Sequence, residues 1–439
     1  MSRSAPLLLI AFACSCPLSP AVADDWPQWL GPERDSVWRE DGIVDRLPEG
    51  GLKTVWQAEV SLGYAGPAVA EGRVYLADYV KTSGEVTNNP GRRDRLEGSE
   101  RVLCFDAASG AIVWKHEYSQ AYEFSFPGGP RCTPAVVGGK VYSLGAEGRL
   151  VCLNAADGKL VWEVDFKTAY GAATPMWGFA GHPLVDGRFV YCIVGGKGSV
   201  AVAFDKDTGK ELWRALDAKE QGYSPPTMID LAGTKQLVIW HAESINGLDP
   251  ATGKTLWSVA LKPDFGMAIA GPRLLGSKLF ASGVRSASVL IELTGPSTAD
   301  ILWRGTPDTS VYSANATPFL EGDVMYGCDG SGTLICAQLS DGARLWETSQ
   351  PTSGDRGKRY ATAFLIKHKN RFFLFNESGH LILANLSPRN YEELGRCPIL
   401  EPTNITMGRP VVWSHPAFAR RCVFARNDKK LVCVSLAAE

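Results

Sequence analysis

The chain has 439 residues, with 45 Lys and Arg against 47 Asp and Glu and a formal net charge of −2. So balanced a charge provides no field to draw in nucleic acid or an anionic membrane surface. Beyond the N-terminus no apolar run is long enough to span a bilayer as a helix, while 46 glycines and 13 tryptophans speak for tight turns and aromatic packing, and so for an all-β fold.

Arg3 gives the chain a positive start, residues 7–13 form a short apolar run, and Ala21-Val22-Ala23 is a small-x-small cleavage site. This pattern predicts a secretory signal peptide over residues 1–23, too short and wrongly flanked for a membrane span. The mature protein is therefore expected to be exported, periplasmic or extracellular. Cys14 and Cys16 precede the cleavage site, where Ala11 and Phe12 fit a lipidation box poorly. Residues 24–51 hold Trp26, Trp29 and Trp38 among several prolines with little periodicity. They read as a strap that packs through its aromatic side chains against the body formed by residues 52–439.

Residues 53–60 look like a strand carrying Trp56 with no partner before it. After it one hairpin recurs: an apolar strand, a Gly-centred turn, then a strand bearing a tryptophan. Its copies pair Ser109-Gly110 with Trp114, Asp157-Gly158 with Trp162, Thr208-Gly209 with Trp213, Thr252-Gly253 with Trp257, and Asp341-Gly342 with Trp346. Gly295-Pro296-Ser297 and Trp303 form a stretched copy, and residues 381–394 form one that has lost its tryptophan. Asp106, Asp205 and Asp249 stand just ahead of their turns, where a carboxylate can cap turn amides. Cys104, Cys152, Cys336 and Cys433 share one repeat position and read as small buried core residues rather than disulfide partners. No metal-binding Cys-x-x-Cys spacing is present.

Between these hairpins a second signal alternates: a small or polar residue, Pro, a short apolar strand, a Gly turn and another strand. Pro67, Pro134, Pro183, Pro225, Pro272, Pro318 and Pro416 carry it, and Thr362-Ala363 is the copy without Pro. The spacing averages about 50 residues, the mark of a blade-forming array built from short strands. Each repeat holds four strands, A to D, and radial four-stranded antiparallel sheets are the β-propeller answer to exposed sheet edges. The C-terminus supplies strands A, B and C of a last blade and stops short of D. The Trp56 strand is the missing D, which closes an eight-bladed ring.

The Asp-x-x-(Thr/Asp)-Gly-x-x-x-Trp core, complete in residues 205–213 and 249–257, resembles the pyrroloquinoline-quinone (PQQ)-like β-propeller repeat. The opening Asp25-Trp26-Pro27-Gln28-Trp29-Leu30-Gly31-Pro32 looks like the start of exported propellers of that kind. The resemblance implies two classes of function. One is a PQQ-dependent quinoprotein dehydrogenase with calcium, a catalytic Asp, a Trp beneath the quinone and often a vicinal Cys pair; no Cys-Cys and no such Asp or calcium set is evident here. The other is a non-catalytic scaffold of the BamB type, which presents its loops or a sheet edge to protein partners and needs no cofactor.

The A–B and C–D turns are short, whereas the D–A connections 116–133, 168–182, 263–270, 306–317, 350–362 and 397–414, and a B–C insertion at 81–100, are long. Both long classes fall on one face, and long loops in compact domains are usually functional or disordered. Residues just before each strand A are expected to ring the channel mouth there: Tyr64, Arg131, Trp177, His182, Tyr223, Met267, Asn315, Tyr360, Trp413 and His415. Aromatics interleaved with Arg, His and Asn suit a planar, polar-edged ligand or a peptide, and permit a carbohydrate. The expectation is an exported, non-enzymatic scaffold that binds a protein in the cell envelope at this ring, with no metal and no catalytic residues.

Overall fold

A computed structural model describes residues 25–285 and 287–438; the expected signal peptide and the cysteines within it lie outside them. The described chain is almost entirely β, folded as eight antiparallel blades, seven built on four consecutive strands and the eighth on strands from both ends of the chain. In one blade these are Ala135–Val137, Lys140–Leu144, Arg149–Asn154 and Leu160–Asp165, hydrogen-bonded in that order. The A strands of neighbouring blades approach each other about the axis, and the core lies between blades, as where Tyr142, Cys152 and Trp162 meet Val190, Val202 and Phe204 of the next blade. The repeated cysteines are buried there, and none of the nine described cysteines is in a disulfide.

The ring closes as its ends predict. Thr54–Glu59 pairs antiparallel with Lys430–Ser435, which continues through Cys422–Arg426 to Ala417–Ala419. Trp56 sits opposite Cys433, the register that Trp114 has with Cys104 and Trp162 with Cys152.

The tryptophan and the glycine turn of the repeat act across blades. The indole N–H of Trp56 donates to the Ala107 carbonyl of the next blade, and Trp114 to Ala155, Trp162 to Lys206 and Trp213 to Pro250, each at 2.9 Å. Trp303 and Trp346 do the same to Leu339 and Ser387. Beneath the ring lies the turn glycine: a Cβ on Gly158 would come within 2.5 Å of Trp114, and its φ of +71° also favours glycine. The aspartates ahead of the turns cap them, Asp249 Oδ1 accepting from the Thr252 N–H and O–H at 2.8 Å each. Trp257 is the exception. Its next turn is the stretched Gly295–Pro296 copy, and it donates instead to Gln236 Oε1 at 2.7 Å, while Gln236 Nε2 reaches the Pro296 carbonyl at 3.3 Å.

Two connections differ from the loops expected. The B–C insertion of the first blade is a long hairpin, Arg73–Gly84 against Asp94–Asp106, joined by a fifth strand, Tyr122–Phe124. Alternate burial along it hides Tyr79 and Leu96 against Tyr122, a period-2 pattern interrupted by too many charged residues to read as strand. The connection into the last blade contains a small hairpin, Asn404–Thr406 with Arg409–Val411.

The segment before the first strand crosses the face of short turns. Trp26 exchanges two backbone hydrogen bonds with Val69, Pro27 accepts from Val136, and Ile43 bridges to Ala437. Trp38 is buried among His368, Phe373 and Phe418.

We expect Trp162→Ala to lower unfolding free energy by about 3–5 kcal/mol. Trp162→Phe, which keeps a ring over Gly209 but drops the N–H, should cost about 1 kcal/mol. Denaturant titration of the two variants checks this; equal losses would mean that the hydrogen bond, not the packed ring, holds the blades.

Candidate functional site

The face of long loops opens into a cavity of about 460 Å³ on the propeller axis. All eight residues picked from the sequence as ligand-binding line it: Tyr64, Arg131, Trp177, His182, Tyr223, Asn315, Tyr360 and His415, together with Met267 and Trp413. They converge because each precedes a strand A, and the A strands gather about the axis.

The floor is Trp29, carried up from the strap. It stacks on His182 with centroids 4.8 Å apart and meets His415 edge-on at 5.9 Å. Arg34 backs it at 5.3 Å and donates to the Pro183 carbonyl at 3.1 Å. The channel is thus a blind pocket.

Arg131 has found its partners in loop backbone. Its Nε donates to Trp177 O at 2.8 Å, and its terminal nitrogens donate to Gly129 O, Phe126 O and Ser125 O. The guanidinium also lies over the Phe124 and Tyr64 rings at 4.6 and 5.1 Å. It therefore stitches two loops together, and no carboxylate of the described residues pairs with it. Asn315 Nδ2 donates to the Tyr360 carbonyl at 3.1 Å, and Trp413 Nε1 to buried Glu377 at 3.0 Å. Burial pushes the Tyr64 hydroxyl up to about 12.

His182 accepts the Thr133 N–H at Nδ1, 3.0 Å away, so its neutral form is the one the fold holds. Burial, then the neighbouring His415, push its pKa well below the usual value. Burial lowers His415 to about 3. The half-buried His415 ring lines the cavity, packed against Phe364 with centroids 4.0 Å apart.

Sequence reasoning missed the rim. Phe265 is 60% exposed and Met407 37%, with Ile405 beside it. Phe126, Phe265, Tyr360 and Met407 all line the cavity, and all have left-handed backbone, at φ of 53°, 58°, 58° and 49°. Met407-Gly408 and Phe265-Gly266 are each a consecutive pair at positive φ, where Asn-Gly is the favoured choice. A bulky apolar residue before such a glycine is a signal that could have been read. The tip of the long hairpin reaches the same rim: Pro90 and Gly91 line the cavity, and Asn88 donates to Asn404 Oδ1 at 2.7 Å.

None of the described residues lining the cavity is Asp or Glu, and no group of three or more His, Cys, Asp or Glu that could hold a metal occurs among the described residues.

With this geometry in hand, comparison places the chain. The family model of the outer membrane protein assembly factor BamB matches residues 98–348 and 241–439. The chain belongs to the BamB family. Solved structures agree on the fold. BamB from Moraxella catarrhalis is similar at 16% identity, a TM-score of 0.54, and coverage of 88% of this chain and 98% of that one. The quinohemoprotein alcohol dehydrogenase of Comamonas testosteroni is similar at 13% identity and a TM-score of 0.59, covering 94% and 81%. A europium-containing methanol dehydrogenase is similar at 13% identity and 0.61, covering 94% and 89%. No curated protein sequence matches. Propellers of this architecture thus include both enzymes and assembly factors, and membership of the BamB family alone does not assign this cavity a role. No helix of this BamB-family chain, among the described residues, is long and apolar enough to cross a membrane.

The two cavity histidines, His182 buried and His415 half-buried, give a pH dependence with a definite sign. Their folded pKa values lie below the unfolded value of about 6.5, so protons bind the unfolded chain more tightly. Their contribution is complete above about pH 6.5 and is lost as pH falls below it, by about 1.4 kcal/mol per unit for each histidine that stays neutral. Thermal melts between pH 7 and 5 should fall more steeply for the wild type than for His182→Gln/His415→Gln. Parallel slopes would mean that the folded protein already accommodates both charges.

Proposed function

We propose that this protein is an exported, non-enzymatic β-propeller scaffold that captures a protein partner in the cell envelope through the aromatic cavity and apolar rim of its long-loop face. The observation that carries this reading is the pair of turns at Phe265 and Met407. A left-handed backbone costs an L-residue roughly 1–2 kcal/mol, and Asn or Gly would relieve it. Here bulky apolar side chains stand in those positions, exposed, around a deep pocket. Strain of this kind marks binding sites more than structural ones, and apolar rims around aromatic pockets suit a partner's anchoring side chains. BamB-family membership and an N-terminus that reads as a signal peptide support placement in the envelope.

The quinoprotein reading meets the chemistry of the donor set. A quinone could lie against Trp177 or Trp29, but calcium takes six to eight oxygens with carboxylates prominent among them. The cavity offers only tyrosine hydroxyls, Asn315 and Thr317. A general base is equally hard to place: no carboxylate faces the cavity, and His415, lowered to about 3, is a weak base at neutral pH. The residues present do not fit PQQ with calcium, and they supply no step of a dehydrogenase reaction.

Replacing Phe265 and Met407 together by Asn should reduce partner capture from an envelope extract by about tenfold while leaving the thermal midpoint unchanged or raised, since Asn tolerates the left-handed region. Undiminished capture would move the interface elsewhere. Quenching of tryptophan fluorescence by PQQ and calcium, with turnover of an alcohol or sugar on an artificial electron acceptor, would replace the scaffold by an enzyme.

A further inference from the structure

The described residues lining the cavity bring two guanidiniums and no carboxylate. Tyr223 is 3% exposed, and its hydroxyl, beside the Trp177 main chain, has no well-formed hydrogen bond. Trp29 is 5% exposed, and its Nε1–H is likewise unpaired. Both side chains line the cavity. Neither atom is open to solvent, so the wall presents their rings rather than these donors to the cavity. His182 uses Nδ1 as acceptor, which puts its proton on Nε2 as a further donor. Around these groups stand two guanidiniums with no carboxylate of the described residues in ion-pair range. Arg131 is satisfied only by carbonyls, which leave its full charge in place, and Arg359 lies 5.0 Å over the Tyr360 ring at the mouth. The lining contributes aromatic area and positive charge without a single acid.

We propose that the group anchoring a ligand in this cavity is a carboxylate carried next to an aromatic or apolar residue, as at an acidic or C-terminal end of a partner polypeptide. The proposal rests on the reading of this cavity as the working site and names what that site selects. The uncompensated positive charge discriminates: a charge-assisted hydrogen bond is about twice as strong as a neutral one, and a neutral amide in the same place gains nothing from that charge. The apolar body would lie against Trp177, Tyr223 and Phe126, with Phe265 and Met407 closing over the mouth.

The test uses the whole mature protein and two probes of one shape, N-acetyl-phenylalanyl-phenylalanine and its C-terminal amide, titrated by calorimetry and tryptophan fluorescence. The acid is expected to bind about tenfold or more tightly than the amide. The preference should weaken with added salt and shrink several-fold in Arg359→Gln, which removes the charge at the mouth. Indole-3-acetate, a free small carboxylate, separates the two sources. Weaker binding than the dipeptide acid supports a polypeptide end; tighter binding would make the ligand a small molecule and overturn the polypeptide part. Equal affinity for acid and amide, or no binding of either, overturns the carboxylate. The reading of the cavity as the working site is judged separately by Ala180→Trp, which fills the pocket. If that variant still captures the envelope partner, the site itself is wrong; if capture is lost while acid and amide bind the wild type alike, only the carboxylate is wrong.

Discussion

The structure depends on one contact made again and again: the indole of a D strand laid over the glycine turn of the next blade, with its N–H on the carbonyl just after the capping position. The contact couples sequence motifs that lie far apart in function but not in chain. Trp162 has meaning only because Gly209 and Lys206 follow some 45 residues later. Each blade is incomplete alone, since its tryptophan has no partner until the next turn has folded. The ring must therefore close, or one tryptophan and one turn remain unmatched. Closure by the Trp56 strand joins the two ends of the chain in one sheet and covers the Gly110 turn of the first blade in the same stroke.

The same contact explains the copies that depart from the repeat. The blade with no tryptophan places Gly395 opposite Leu383, where the others have Trp. The blade after it is the closing one, built from both ends of the chain, so it has no continuous C–D turn to receive an indole. Leu47 of the strap lies there instead, 3.6 Å from where a Cβ on Gly395 would be. The stretched fifth repeat has lengthened its turn beyond the reach of Trp257, and Gln236 relays the hydrogen bond. Neither departure is decay; each follows from what the neighbouring blade can offer.

This is why so much of the fold was legible and the site only in part. Blade number, strand order and closure follow from the repeat, because the physics acts between equivalent positions. The ring of residues before strand A was legible for the same reason: a fixed place in the repeat becomes a fixed place around the axis. The repeat says nothing of the insertions. The first blade's long hairpin is charged on its outer face, which hid its alternation, and Phe265 and Met407 sit at turn tips where only an unexpected residue before glycine betrays them. Trp29 was legible as an anchor but not as a floor, since that depends on the strap crossing the axis. Arg131 was singled out because a buried guanidinium needs partners; that the partners are carbonyls of its own loops could not be read from the chain.

A symmetric ring gives every blade the same end, so it cannot by itself favour one ligand. Selectivity has to come from whatever breaks the symmetry, and here three non-repeated elements do so at one place. The strap converts an open channel into a pocket by inserting Trp29 from the short-turn face. Arg131 fixes the loops of two successive blades in one conformation and leaves its charge uncompensated. The turns at Phe265 and Met407 hold apolar side chains over the mouth against their backbone preference. The Trp–turn contacts, with Trp26, Trp38 and Leu47 of the strap, close the ring, and Trp29, Arg131 and the Phe265 and Met407 side chains are no part of those contacts. The repeat sets the ring and places its mouth, and the residues that do not repeat shape the pocket within it.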